Sequence, residues 1–177
     1  MPGINIELHM VNRITIGTVG PPGQRVFLLQ AADAIDTVTL KLEKEQARAL
    51  SHAATDLLEN LDEEYPIEEP SLDTPLTSDL MLQEPMEPLF GIGQIGLGYD
   101  QEQDLIVVVV QEIQFEDNDD PATARFWGTR PQMKILSEHA VSVVEQGRPV
   151  CPLCDSPIDP EGHFCPKSNG HEKVQWN

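Results

Sequence analysis

Two stretches of this chain match each other, and that match limits the fold more than any other feature. Gln46 to Asn60 aligns with Gln132 to Gln146 at a separation of 86 residues, with Gln46/Gln132, Leu50/Leu136, Ser51/Ser137, Ala54/Ala140 and Glu59/Glu145 identical. Upstream, Ile16-Gly17-Thr18-Val19-Gly20 matches Ile92-Gly93-Gln94-Ile95-Gly96 at a separation of 76. The growth in separation fits longer turns around Gln101 to Asp104 and Glu116 to Asp120. Recurrence in a fixed order marks a repeated supersecondary unit. Two amphipathic helices can match by chance, but the glycine-bearing match ahead of the strands favours duplication.

The content of each copy follows from hydrophobic period. Ile4 to Leu8, Arg13 to Thr18, Arg25 to Ala31 and Thr37 to Leu42 alternate apolar and polar residues between turn signals, which is a strand pattern. From Glu43 to about Leu61 the period turns helical, with Leu50, Ala53, Ala54, Leu57, Leu58 and Leu61 on one stripe. Phe90 to Tyr99, Leu105 to Phe115 and Ala122 to Trp127 read as the second set of strands. Thr129-Arg130-Pro131-Gln132 then opens a helix: threonine caps, proline fits the first turn, and glutamine completes a capping box. This helix stops at Gly147-Arg148-Pro149. One meander alone leaves a sheet face bare, so the two copies should pack together, with the helices covering the sheet. The expected fold is α+β: a duplicated three-stranded-meander-plus-helix unit sharing one core, with a small C-terminal zinc-knuckle tail. The divisions are a first repeat over 1–61, an acidic Pro-rich linker over 62–88, a second repeat over 89–147 and a zinc-binding tail over 148–177.

Charge is distributed unevenly. No Lys or Arg occurs from Ala49 to Ala124, a span that holds 19 of the 30 Asp and Glu, so the rest of the chain is neutral and the formal charge of −19 belongs to the middle. Such a field repels nucleic acid and anionic membrane, whose binding draws on Lys and Arg. It suits either a solvated acidic loop or a docking surface for a basic protein partner. Five prolines among nine acidic residues over 62–88 predict an extended, mobile linker. The longest apolar run, Leu105 to Val110, is too short to span a bilayer, and the N-terminus lacks a secretory signal; both point to a cytoplasmic protein.

All three cysteines lie in the tail. Cys151 and Cys154 form a C-x2-C pair, and His163 and Cys165 follow two residues apart. Thiols bracketing a tight turn can meet one ion, and residues two apart face the same side of extended chain. Three thiolates and an imidazole suit Zn2+ in a closed, structural site. So short a tail buries too little apolar surface to fold alone, and zinc supplies roughly 10–16 kcal/mol in comparable peptides. His171 is the rival fourth ligand. A disulfide with one thiol left over, or a redox pair, is the plain alternative; the odd thiol and the nearby histidines count against both.

Other motifs carry less. Gly17 to Arg25 lacks the Gly-Lys-Ser/Thr ending of a P-loop and no helix follows it, so it reads as a strand-to-strand turn. Gly91, Gly93, Gly96 and Gly98 miss the dinucleotide fingerprint and read as places where strands bend or pack closely. His52 and His139 sit on the two helices, where surface or partly packed histidine is the common case. Arg25 and Arg125 are the cations to examine for an anionic ligand.

Gly17-Thr18-Val19-Gly20, Pro22-Gly23-Gln24-Arg25, Phe27-Leu28-Leu29-Gln30-Ala31, Leu42-Glu43-Lys44-Glu45-Gln46, Gly93 to Asp100 and Gly147 through Cys165 together resemble one family of bacterial proteins, catalogued as domain of unknown function thirty-ninety. The resemblance covers nearly the whole chain and implies no activity. Its relatives often carry an aromatic residue where His171 stands, which favours His163 as ligand. The heavier acidic content here departs from the family. Two functions compete. One is a noncatalytic protein-interaction or scaffold module with structural zinc. The other is an enzyme or small anionic-ligand-binding subunit with its pocket between the repeats, lined by Arg25 or Arg125. A zinc ribbon that binds nucleic acid ranks last, since Arg148 to Asn177 carries three basic and four acidic residues.

Overall fold

A computed structural model of the chain describes residues 3–21, 23–67, 80–115, 120–146 and 152–154, with the backbone of 163–164 and 173–174. The order is β1 (Asn5–Leu8), β2 (Arg13–Val19), β3 (Val26–Ala32), β4 (Thr37–Leu42), α1 (Lys44–Glu64), β5 (Ile92–Asp100), β6 (Leu105–Glu112), β7 (Thr123–Gly128), α2 (Arg130–Glu145), β8 (His163–Phe164) and β9 (Lys173–Val174). The fold is mixed α+β, with β2-β3-β4 in one antiparallel sheet and β1-β7-β6-β5 in the other. Among the described residues, no helix is long and apolar enough to cross a membrane.

Each sheet has one apolar face turned inward. On β6, Ile106, Val108 and Val110 are fully buried while Val107 and Val109 between them are half-buried, the period-two pattern of a strand with one face in the core. Ile16, Leu29 and Leu40 do the same for the first sheet. Ala47 and Leu50 of α1 and Met133, Leu136 and Ala140 of α2 join both inner faces in a single cluster. Ala53, placed on the apolar stripe by its spacing, is exposed, and Ser51 is buried instead.

The two sheets are joined at corners. The N–H groups of Val11 and Asn12 go to Trp127 O in one sheet and Ala32 O in the other, both at 2.9 Å. At the opposite corner the carbonyls of Phe90 and Gly91 accept from Lys41 N and Ile113 N, at 3.0 and 2.8 Å. β1 runs parallel to β7, and Gly91 makes a parallel bridge to Lys41, so each meander is entered by a segment that first pairs with the other meander's last strand.

The helices repeat this exchange. Gln46 accepts from Glu43 N at 2.7 Å through Oε1 and donates through Nε2 to Ile92 O at 2.9 Å. Gln132 accepts from Thr129 N at 2.8 Å and donates to Val11 O at 2.8 Å. Each glutamine thus caps its own helix and ties it to the other meander. Where the helices cross, Ser51 Oγ donates to Ser137 O at 2.8 Å, and both serines are buried. Ser51 and Ser137 are equivalent in the sequence match, so the two helices meet at matching positions, although the bond is one-sided: Ser137 Oγ donates to Lys134 O at 2.7 Å.

Strand register corrects one expectation. Thr18 faces Phe27, which faces Leu42, the residue before Glu43; Tyr99 faces Ile106, which faces Gly128, the residue before Thr129. Thr18 is therefore equivalent to Tyr99 and Gly17 to Gly98, not Gly17 to Gly93 as the local sequence match suggests. Gly93 sits at a register shift in β5, where a Cβ would come within 2.7 Å of Ile113 Cα.

The 62–88 span is also not uniformly an extended, mobile linker. Residues 62–64 belong to α1, and residues 80–88 form a strap bonded to the first sheet.

Candidate interaction face and C-terminal tail

The outer face of the first sheet carries a row of polar side chains, Thr15, Gln30 and Thr39, paired across β2, β3 and β4 and each no more than 1% exposed. Polar groups buried so fully need partners, and the strap supplies them. Thr15 Oγ1 donates to Leu80 O at 2.7 Å, Gln30 Nε2 to Gln83 O at 2.6 Å, and Thr39 Oγ1 to Pro85 O at 2.6 Å. Gln83 N returns a bond to Gln30 Oε1 at 2.9 Å. Leu82 lies on Gly17, where a Cβ would come within 2.6 Å of its Cγ. A segment that bends at Met81, Glu84 and Glu87 is thus held across this face by hydrogen bonds between side chains of the sheet and its own backbone, and by one apolar anchor.

The equivalent row on the second sheet is Gly96, Val109 and Arg125, paired across β5, β6 and β7. It lacks the hydroxyl and amide groups that hold the strap, and among the described residues no hydrogen bond ties a backbone segment across it. Gly96 has no heavy atom within 4 Å of where a Cβ would stand. Val107, Val109, Arg125 and Trp127 are half-buried. His9 stacks on Trp127 with centroids 4.4 Å apart and planes 18° from parallel, and Arg125 Nη1 lies 3.6 Å from Glu7 Oε1. The result, among the described residues, is an uncovered platform of valine, aromatic and paired charge.

Among the described residues Arg25 and Arg125 are not brought to one site, which corrects that expectation. Arg25 donates to Val143 O at 3.3 Å and lies 5.2 Å over the Phe27 ring, while Arg125 is on the open sheet face. Between α1 and α2 there is instead a cleft of about 490 Å³, and its cations are Arg130 and Lys134. Arg130 Nε donates to Asp104 Oδ1 at 2.9 Å and its Nη2 to Tyr99 OH at 3.2 Å, while Tyr99 OH donates to Asp104 Oδ1 at 2.7 Å. Burial alone would lower the Arg130 pKa, but the bonds to Tyr99 and Asp104 outweigh it and hold it raised. The hydrogen bond to Asp104 pushes the Tyr99 hydroxyl up as well. Sequence reasoning passed over Arg130; the available signal was a cation in the first turn of a helix, where the macrodipole opposes it.

His139 is held below its ordinary 6.5 by burial, against a backbone hydrogen bond to Ile16 that raises it.

Of the proposed metal set, Cys151 and Cys165 lie outside the described residues, as does the rival His171. Cys154 is a free, partly exposed thiol in the turn over 152–154, and His163 opens β8, pairing with Val174 of β9. In donor type, three cysteines and a histidine fit zinc. Among the described residues, no group of three or more His, Cys, Asp or Glu is placed to hold a metal.

The profile described as Protein of unknown function (DUF3090) matches residues 6–165, and the chain belongs to that family. Comparison with curated proteins and with solved structures returns no match.

Proposed function

We propose that this member of the family is a noncatalytic protein-interaction module that takes an extended, basic segment of a partner protein across the outer face of its four-stranded sheet, and that its tail holds zinc. One observation carries the reading: the equivalent face of the three-stranded sheet is covered by a segment of the chain itself, tied to Thr15, Gln30 and Thr39, whereas the Gly96–Val109–Arg125 face has no such cover among the described residues. Half-apolar sheet surface rimmed by polar residues is suited to contact with a partner protein. Charge favours a basic occupant. β5 and β6 and the turns between them come from the span with no Lys or Arg, and Asp100, Glu102 and Asp120 stand at the strand ends. Opposite charge at a rim speeds encounter and sets specificity more than it adds affinity.

The tail reading rests on the donor set: Cys151, Cys154, His163 and Cys165 would hold Zn2+ as a closed structural site. Elemental analysis should find about one zinc per chain in untagged protein, lost in Cys154→Ala. Metal-free protein with intact thiols would remove this half of the proposal.

The interaction face is tested by peptide-display selection on the intact chain, with counter-selection against Val109→Lys. Selected peptides should be basic with alternating apolar residues and should change Trp127 fluorescence in a Trp176→Phe background. They should bind Val109→Lys about tenfold more weakly, or about 1.4 kcal/mol. Peptides that are acidic, or that bind the variant equally well, would overturn the assignment.

A further inference from the structure

Arg130 is 95% buried by side-chain surface, at the first residue of a sixteen-residue helix, and its Nη1 has no hydrogen-bond partner. Its nearest charge on that side is Asp62 Oδ1 at 3.6 Å, from a carboxylate 69% exposed. A buried guanidinium nitrogen without an acceptor is uncommon, and a helix N-terminus adds positive potential in the same place. Asp104 and Tyr99 occupy the other side of the guanidinium, so an acceptor reaches the sealed Nη1 only from the side of Asp62, which must move aside. Lys134 lines the same cleft one turn further along α2.

The rest of the cleft gives the shape of the ligand. The helices run antiparallel, since Ser51 meets Ser137 at the crossing and Asp62 reaches Arg130. Beside the cations stand Leu58, Ile67 and Pro131, and the exposed carboxylates of Glu59 and Glu138 line the cleft as well. A volume of about 490 Å³ suits a small molecule.

We propose that this cleft binds a small organic anion, with its carboxylate or phosphate head on Arg130 Nη1 and Lys134 in the place Asp62 now approaches, and its apolar body against Leu58, Ile67 and Pro131. Asp62 acts as an internal competitor: it stands nearest Nη1 when the cleft is empty and yields to a ligand that brings both charge and apolar surface. This site is separate from the open sheet face and stands or falls independently of it.

The test titrates hexanoate, hexyl phosphate and hexanol into the full chain and follows the side-chain Nε–H resonance of Arg130 by NMR. Both anions should shift it saturably and hexanol should not; the tighter anion identifies the head group. Asp62→Asn, a change at an exposed residue that leaves the fold intact, should tighten binding of that anion about threefold by removing a competing carboxylate that is itself largely exposed. Lys134→Ala should weaken it. No saturable shift with either anion, equal binding of hexanol, or an Asp62→Asn affinity that is unchanged or lower would each overturn the proposal.

Discussion

Single residues set how the two copies meet. Gly17 is small because Leu82 sits on it: a Cβ there would come within 2.6 Å of Leu82 Cγ. Gly17→Ala should lower stability by about 1–3 kcal/mol through overpacking, and Leu82→Ala should remove most of that loss in a double-mutant cycle read by urea unfolding. Additive effects would mean that the contact is not made. His139 gives a pH dependence. Its folded-state pKa lies below 6.5, so the unfolded chain binds the proton more readily. The chain should have its full His139-linked stability above pH 6.5 and lose it as pH falls from there through the lower folded value. His139→Gln should flatten that part of the profile in unfolding experiments across pH 5–7, a range set by histidine titration; an unchanged slope would show that the histidine is not desolvated.

At the scale of elements, the strands and helices were legible because their periods are clear. β4 begins at Thr37 and ends at Leu42 as the alternation predicts, and the Thr129–Gln132 capping box forms. The strap was not legible. Thr15, Gln30 and Thr39 alternate with apolar residues and read as a wetted face; nothing local says that another segment covers them. Proline and acid over 62–88 predict loose chain, yet residues 80–88 are held by hydrogen bonds from side chains in other strands, a tertiary effect outside any local window. The glycine match misled for a similar reason: register is set by cross-strand pairing, which equates Gly17 with Gly98. The glutamine pair tests the exchange between copies. Gln46→Leu and Gln132→Leu should each lower stability by about 1–2 kcal/mol, since each loses a cap and leaves a carbonyl of the other meander unbonded. A loss in one variant only would break the equivalence of the two helices.

For the molecule as a whole, the pairing of Ser51 with Ser137 and the shared core account for why the copies are expected to unfold together. The tail should behave differently. Chelation of zinc should alter the exchange of amides in the β8–β9 hairpin while leaving those of β6 and α2 protected. Loss of protection throughout would show that the tail supports the core. Pseudo-symmetry also bears on function, because it exposes the difference between two equivalent faces, one covered by the chain's own strap and one without such cover among the described residues. The most direct measurement is photo-crosslinking in cells from a benzoylphenylalanine placed at Val109, with Ile35 in the exposed β3–β4 turn as control. The account predicts adducts from position 109 that map to an extended basic segment of a partner protein, with none from position 35; no adduct from position 109, or equal yields from both, would contradict it.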